Sequence, residues 1–226
     1  MSTAAGEFGE GPLSRGAALV YTLLVVELLL LVCAAPGLVA LFALERHASN
    51  LPLVAACAVP LGPALSAALY ALHHQRLDLT DLHPGRLFWR GYRTNLAGAL
   101  LVWVPTLLWL TVIAVNLVNL PAAGVPRWWA VPLVLVGGGV AVVGVNALVI
   151  TSLFTFRLRD VVRLAGYFVL HTPVGAVGTA LLLVAATVLT LVASEAALAA
   201  LGSVLALALV RGGQPMIATI REEFVQ

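Results

Sequence analysis

The sequence predicts an all-α fold: a polytopic transmembrane helix bundle of about six spans, with two short cytoplasmic amphipathic helices. Three observations carry this expectation. Hydrophobic residues fill 62% of 226 positions and charged residues only 10%, at a mean hydropathy of +1.05, where soluble domains hold about 45–50% and about 25%. Apolar runs long enough for the roughly 20 residues of a spanning helix recur along the chain between short polar turns. The cations, all of them arginine, fall mostly on one side of a fold built from those runs.

Taken in order, residues 1–14 read as a loose polar tail. The first span follows at about 17–44. Glu7 and Glu10 precede it against a single Arg15. Its length exceeds the h-region of a secretory signal, about 7–15 residues, so it reads as a retained helix. Pro36-Gly37 is expected to kink or end it. The second span, about 51–73, contains Pro60 and Pro63, which membrane helices tolerate where neighbours satisfy the freed carbonyls. Between 74 and 94 the chain is polar, with Leu87, Phe88, Trp89 and Tyr92 interleaved among Arg86, Arg90 and Arg93. That mixture suits a short interfacial helix, rings at the acyl boundary and guanidiniums at the headgroups. The third span is about 95–119. Trp128 and Trp129 then mark an aromatic belt before the fourth span, about 129–154,.

Residues 156–170 repeat the amphipathic design with Arg157, Arg159 and Arg163. Spans five (about 171–193) and six (about 196–211) complete a membrane domain over 15–211, and 212–226 reads as a second tail. Placing both tails and both amphipathic segments on one side leaves only Arg46 and Arg127 opposite. The positive-inside rule then puts both termini in the cytoplasm.

Glu27 and Asn146 are the intramembrane polar candidates. A carboxyl near the bilayer midplane costs about 2.5–3.5 kcal/mol on insertion scales, so Glu27 must face other helices. Two readings are open: a proton- or substrate-binding group, or a structural hydrogen bond to Asn146, Thr106 or Ser66. Asn146 suits an interhelical hydrogen bond. Gly137, Gly138, Gly139 and Gly144 allow close backbone approach, within one chain or between two. Arg86, Phe88, Trp89, Arg90, Tyr92, Arg93, Arg159 and Arg163 form the expected partner or lipid surface.

Several classes lose support. Cys33 and Cys57 lie in apolar runs without a second ligand at metal spacing, and read as buried free thiols or a disulfide,. His73-His74 with Asp78, Asp81 and His83 completes no i, i+4 ligand pair, and reads as a solvated turn. A net charge of +2 with scattered arginines makes no nucleic-acid surface,. Gly6, Gly9 and Gly11 follow no strand, so they are no nucleotide loop. No H-E-x-x-H, G-x-S-x-G or C-x-x-C occurs, and no cofactor, metal or enzymatic activity is expected.

The chain resembles the YesL-like family of bacterial membrane proteins over nearly its whole length. The resemblance rests on Glu27-Leu28-Leu29 through Gly37 and on Gly62-Pro63-Ala64 leading to Ala68-Leu69. It continues with Leu87-Phe88-Trp89-Arg90-Gly91-Tyr92-Arg93 and Asn95, and with Thr172-Pro173 at the start of the fifth span. Members typically carry asparagine where this chain has Glu27. Their genes often lie beside carbohydrate ABC importers, so the resemblance implies an accessory or regulatory role in carbohydrate transport, with permease subunits as partners. The alternatives are an autonomous small-solute or ion transporter with Glu27 in its pathway, or a structural or lipid-interacting membrane protein.

Overall fold

Runs of Leu, Val and Ala become helices longer than soluble domains usually hold. The computed structural model describes residues 12–45, 47–75, 82–171, 173–192 and 195–224. Expectations for the tail up to Gly11 and for Arg46, Arg76, Asp78, Asp81, Thr172 and Ser194 lie outside these residues. Every described element is an α-helix or a 3-10 turn.

Helix α1 covers Pro12–Phe42. Its buried residues Ala18, Thr22, Val26, Leu30 and Ala34 recur every four positions. That spacing overshoots the 3.6-residue turn by about 40° each time. The buried stripe therefore winds round α1, which meets α2 (Leu51–Cys57), α3 (Leu61–His74), α4 (Pro84–Asn119) and α9 (Gly202–Gly212). Pro36 does not end the helix, which continues to Phe42. Beside it, Gly37 is where α1 crosses the chain end of α2: a Cβ there would overlap the Cys57 carbonyl oxygen.

The second apolar run is broken, its two parts meeting at 41°. Pro60 and Pro63 lack the N–H that would continue the ladder. Short-range bonds replace it, Val59 N–H to the Ala56 carbonyl and Leu61 N–H to the Ala58 carbonyl, both at 3.2 Å. The Trp103 indole donates to the same Ala58 carbonyl at 2.9 Å. Helix α3 is the centre of the bundle and packs on α1, α4, α5 (Ala130–Leu153) and α9. Its small residues Ala64, Ser66, Ala67, Ala68 and Ala71 are buried and let those neighbours come close,.

Helix α4 is continuous, where the sequence suggested a separate interfacial helix before a span starting near 95. Pro84 opens it at the position where a missing N–H costs nothing. The polar stretch after Arg93 does not break it, because Asn95 is satisfied by the carbonyl of Ser152 at 2.9 Å. A 3-10 turn, Arg127–Trp129, leads into α5, and the amphipathic α6 spans Leu158–His171. Then come α7 (Pro173–Val192), α8 (Glu195–Ala199), α9 and α10 (Gln214–Phe224). The expected C-terminal tail is thus helical from Gln214, and Met216, Ile217 and Ile220 are buried against the bundle. An apolar spacing of one, three and four residues gives a short helix one face to bury.

Helix α4 runs antiparallel to both α3 and α5. Along α4 and α5 the close pairs are Asn95 with Ser152, Gly98 with Thr151, Thr106 with Gly144 and Ile113 with Gly137. Gly91 meets Tyr70 and Gly62 meets Trp103 between α3 and α4. This register brings the start of α4, the end of α5, α6 and the α9–α10 junction to one end of the bundle. Arg86, Arg90, Arg93, Arg157, Arg159, Arg163, Arg211 and Arg221 gather there, and Arg127 lies at the other.

Among the described residues four helices are long and apolar enough to cross a membrane, six if each bent pair (α2 with α3, and α9 with α10) is one span. Burial is concentrated toward the arginine-bearing end. Leu108, Trp109 and Val112 of α4, Val134, Leu135 and Val136 of α5, and Leu181, Val184 and Leu191 of α7 are all exposed. An apolar surface this continuous suits hydrocarbon surroundings rather than water.

Candidate functional site

Helix α1 carries Glu27 toward the start of α9. There the Glu27 carboxyl accepts the backbone N–H of Ser203 through Oε2 at 2.6 Å. Ser203 is the second residue of α9, one of the four whose N–H has no partner within the helix,. Gly202 is where α9 lies close on α1, since a Cβ on it would stand 3.2 Å from the Leu30 side chain. Oε1 itself is shielded and makes no hydrogen bond. The partner differs from the three considered from sequence. A backbone N–H carries no sequence signal, so the acceptor was visible and the donor was not.

Asn146 pairs with α7, accepting from the Thr179 hydroxyl at 3.1 Å, both residues being buried. A double-mutant cycle of Asn146→Ala with Thr179→Val should give a coupling of about 0.6 kcal/mol, and no more than about 1.7. Unfolding in mixed micelles reads it; additive single effects would mean that the two side chains do not meet.

A third node ties α3, α4 and α5 together. Ser152 Oγ hydrogen-bonds Ser66 Oγ at 2.8 Å and the Leu148 carbonyl at 2.6 Å. Asn95 holds the Ser152 carbonyl from the other side. Ser66 was considered from sequence only as a partner for Glu27, and Ser152 was not singled out, because serine back-bonding within a membrane helix is too common to mark a site.

The basic-aromatic ridge occupies the first turns of α4. Arg86, Trp89, Arg90 and Arg93 share one exposed face and, with Gly85 and Thr94, line an open groove of about 750 Å³. Phe88 departs from the expectation: it is fully buried and forms part of the core. It stands on the opposite side of the helix, and anchors the ridge by stacking with half-buried Tyr92 at 6.5 Å. Trp89 meets Tyr92 edge-on at 5.7 Å. On α6, Arg159 and Arg163 are exposed, while Val161, Leu164, Ala165 and Phe168 face the core.

Of the four glycines, Gly144 makes the close approach, its hydrogen facing Thr106 of α4. Gly137 lies near Ile113, and Gly138 and Gly139 open onto free space. Other close crossings are at Gly62 and Gly91, which the sequence offered only as family-like positions. Cys33 and Cys57 are free thiols, both half-buried. Asn116 and Asn119 donate to carbonyls of their own helix. Among the described residues no group of three or more His, Cys, Asp or Glu could hold a metal ion. Comparison with family models, with curated proteins and with solved structures gives no match to this chain.

Proposed function

We propose that this is a non-enzymatic, six-span protein of the cytoplasmic membrane, with both termini in the cytoplasm, acting as an accessory or regulatory component of a carbohydrate transport system. The observation that carries the proposal is the exposed ridge of Arg86, Trp89, Arg90 and Arg93 at the start of α4. Arginine and tryptophan are the side chains most often found at the energetic centre of protein interfaces. The ridge is held by the buried Phe88 and accompanied at the same end by Arg159 and Arg163, so the groove is presented on a rigid support. The clustering of arginines at one end supports the orientation. Asn95, Asn146 and Ser152 inside the bundle make helix-to-helix bonds, which suits a scaffold. The carbohydrate-transport partner, a permease subunit of an ABC importer, is supported by the resemblance to the YesL-like family.

The test is recovery of partners from native membranes with the tagged chain in mild detergent. Permease subunits should co-purify in stoichiometric amounts, and alanine at Arg86, Trp89, Arg90 and Arg93 together should lower their recovery about tenfold or more. Recovery unchanged by the quadruple variant would remove the ridge from the proposal. Recovery of the chain alone would remove the accessory role.

A second reading, an autonomous small-solute or ion transporter, draws on one observation. Glu27 sits at the start of α9, half of a bent helix pair, and interrupted helices build binding sites at mid-depth in many transporters,. Uptake by proteoliposomes containing only this chain, abolished by Glu27→Gln, would establish that reading.

A further inference from the structure

At the arginine-bearing end, a second cavity of about 560 Å³ opens between α1, the end of α3, and the junction of α9 with α10. One wall is apolar, with Leu19, Leu72, Leu207 and Val210, and the rest is polar. His73, His74 and Gln75 come from α3, Arg211 from α9, and Gln214 and Arg221 from α10. Among the described residues no carboxylate lines it.

The donors are partly committed and partly free. Arg221 donates to Nε2 of His73 at 3.4 Å, which fixes one guanidinium nitrogen at the wall. Nδ1 of His74 meets the Tyr70 carbonyl at 2.9 Å, and the Gln214 amide donates to the Val210 carbonyl at 3.3 Å. Arg211 forms no ion pair among the described residues and is exposed. Five N–H groups of Arg211 and the remainder of Arg221 are therefore available from two helices. Thr22 lines the same cavity, is 1% exposed, and its hydroxyl has no hydrogen-bond partner. Other threonines here, such as Thr106, Thr187 and Thr219, return their hydroxyl to the carbonyl four residues back. Thr22 does not, which leaves an unused polar group in the wall.

We propose that this cavity binds a phosphate ester whose uncharged body rests on the apolar wall. Two arginines converging from different helices match a tetrahedral dianion or monoanion with several acceptor oxygens. The leucine wall matches the body of the ester. The same chemistry is offered by a phospholipid headgroup and by a soluble phosphorylated metabolite.

Thermal unfolding of the purified full chain in detergent tests this with two matched pairs of probes: phosphatidic acid against diacylglycerol, and glycerol 3-phosphate against glycerol. At least one phosphate-bearing probe should raise the unfolding temperature where its phosphate-free counterpart does not. A rise with glycerol 3-phosphate identifies a soluble phosphate ester as sufficient, and a rise with phosphatidic acid alone identifies a lipid. In the variant Arg211→Gln with Arg221→Gln, the probe concentration giving half the rise should increase at least about tenfold. The control Arg127→Gln, at the opposite end, should leave it unchanged. Equal effects within both pairs in the wild-type protein would overturn the proposal, as would an undiminished response in the double variant. Either would assign the two arginines to offsetting the carbonyl ends of α3 and α9. The wild-type comparison stands even if the double variant fails to fold. Alanine at Arg86, Trp89, Arg90 and Arg93 together should leave the response unchanged, and loss of the response there would move the phosphate site to the α4 ridge and overturn the proposal.

Discussion

Gly37→Ala is expected to destabilise the bundle by about 1–3 kcal/mol, the cost of overfilling a packed contact. Alanine is the better helix former by about 0.8–1.0 kcal/mol, so propensity alone argues for the opposite sign. Geometry decides. The added methyl would meet the Cys57 carbonyl oxygen, a backbone atom at the end of α2 with no rotamer to yield. Relief requires α1 and α2 to separate, and the neighbouring carbonyls of Ala55, Ala56 and Ala58 are tied to N–H groups three residues on. Gly138→Ala supplies the contrast, because that position opens onto free space and should be neutral or stabilising. Steric trapping or thermal unfolding in one detergent compares the two variants directly. Equal stabilities would mean that α1 and α2 do not cross as closely as Gly37 requires.

Glu27→Leu is expected to cost about 1–3 kcal/mol, the penalty for leaving a buried donor without its partner. The leucine is similar in bulk and suits an apolar interior, but it leaves the N–H of Ser203 without its acceptor at the start of α9. Glu27→Gln keeps a carbonyl oxygen in the same place and should cost clearly less. Amide exchange at Ser203 separates the cases: fast in the leucine variant and near wild-type in the glutamine variant. If both variants exchange alike, the carboxyl does not cap the helix.

The sequence exposes its helices through composition, and arginine placement sets their expected orientation. Both depend on one-dimensional quantities, the length of an apolar run and the side on which cations fall. Breaks inside runs were harder. Pro36 and the Pro60–Pro63 pair look alike as text, yet α1 passes through the first and the second span bends at the other. The difference lies in what surrounds the freed carbonyls, here Trp103 of a different helix. The ridge on α4 was legible because arginine and tryptophan at helical spacing announce a face. Phe88 was misplaced among them, since the residue alone does not say which side of the helix carries the core. Glu27 was legible as a group needing a partner, but Ser203 contributes only its backbone. The cavity between α3, α9 and α10 was not legible, because it joins His73 and Arg221 across most of the chain and depends on a helix where a tail was expected.

The unbroken length of α4 has a mechanical consequence. Its 36 residues make a rod of about 54 Å, against a hydrocarbon layer of about 30 Å. A rod that overhangs the layer in which it stands is a lever. A tilt of about 10° around its middle swings the Arg86–Arg93 end sideways by about 5 Å, and the Asn116–Asn119 end moves as far in the opposite direction. Pro105, near mid-length, lacks the N–H that would tie it to the Leu101 carbonyl, so flexure would concentrate there,. Torque applied at the ridge would then be taken up in part at Pro105 before it reaches the opposite end of the helix.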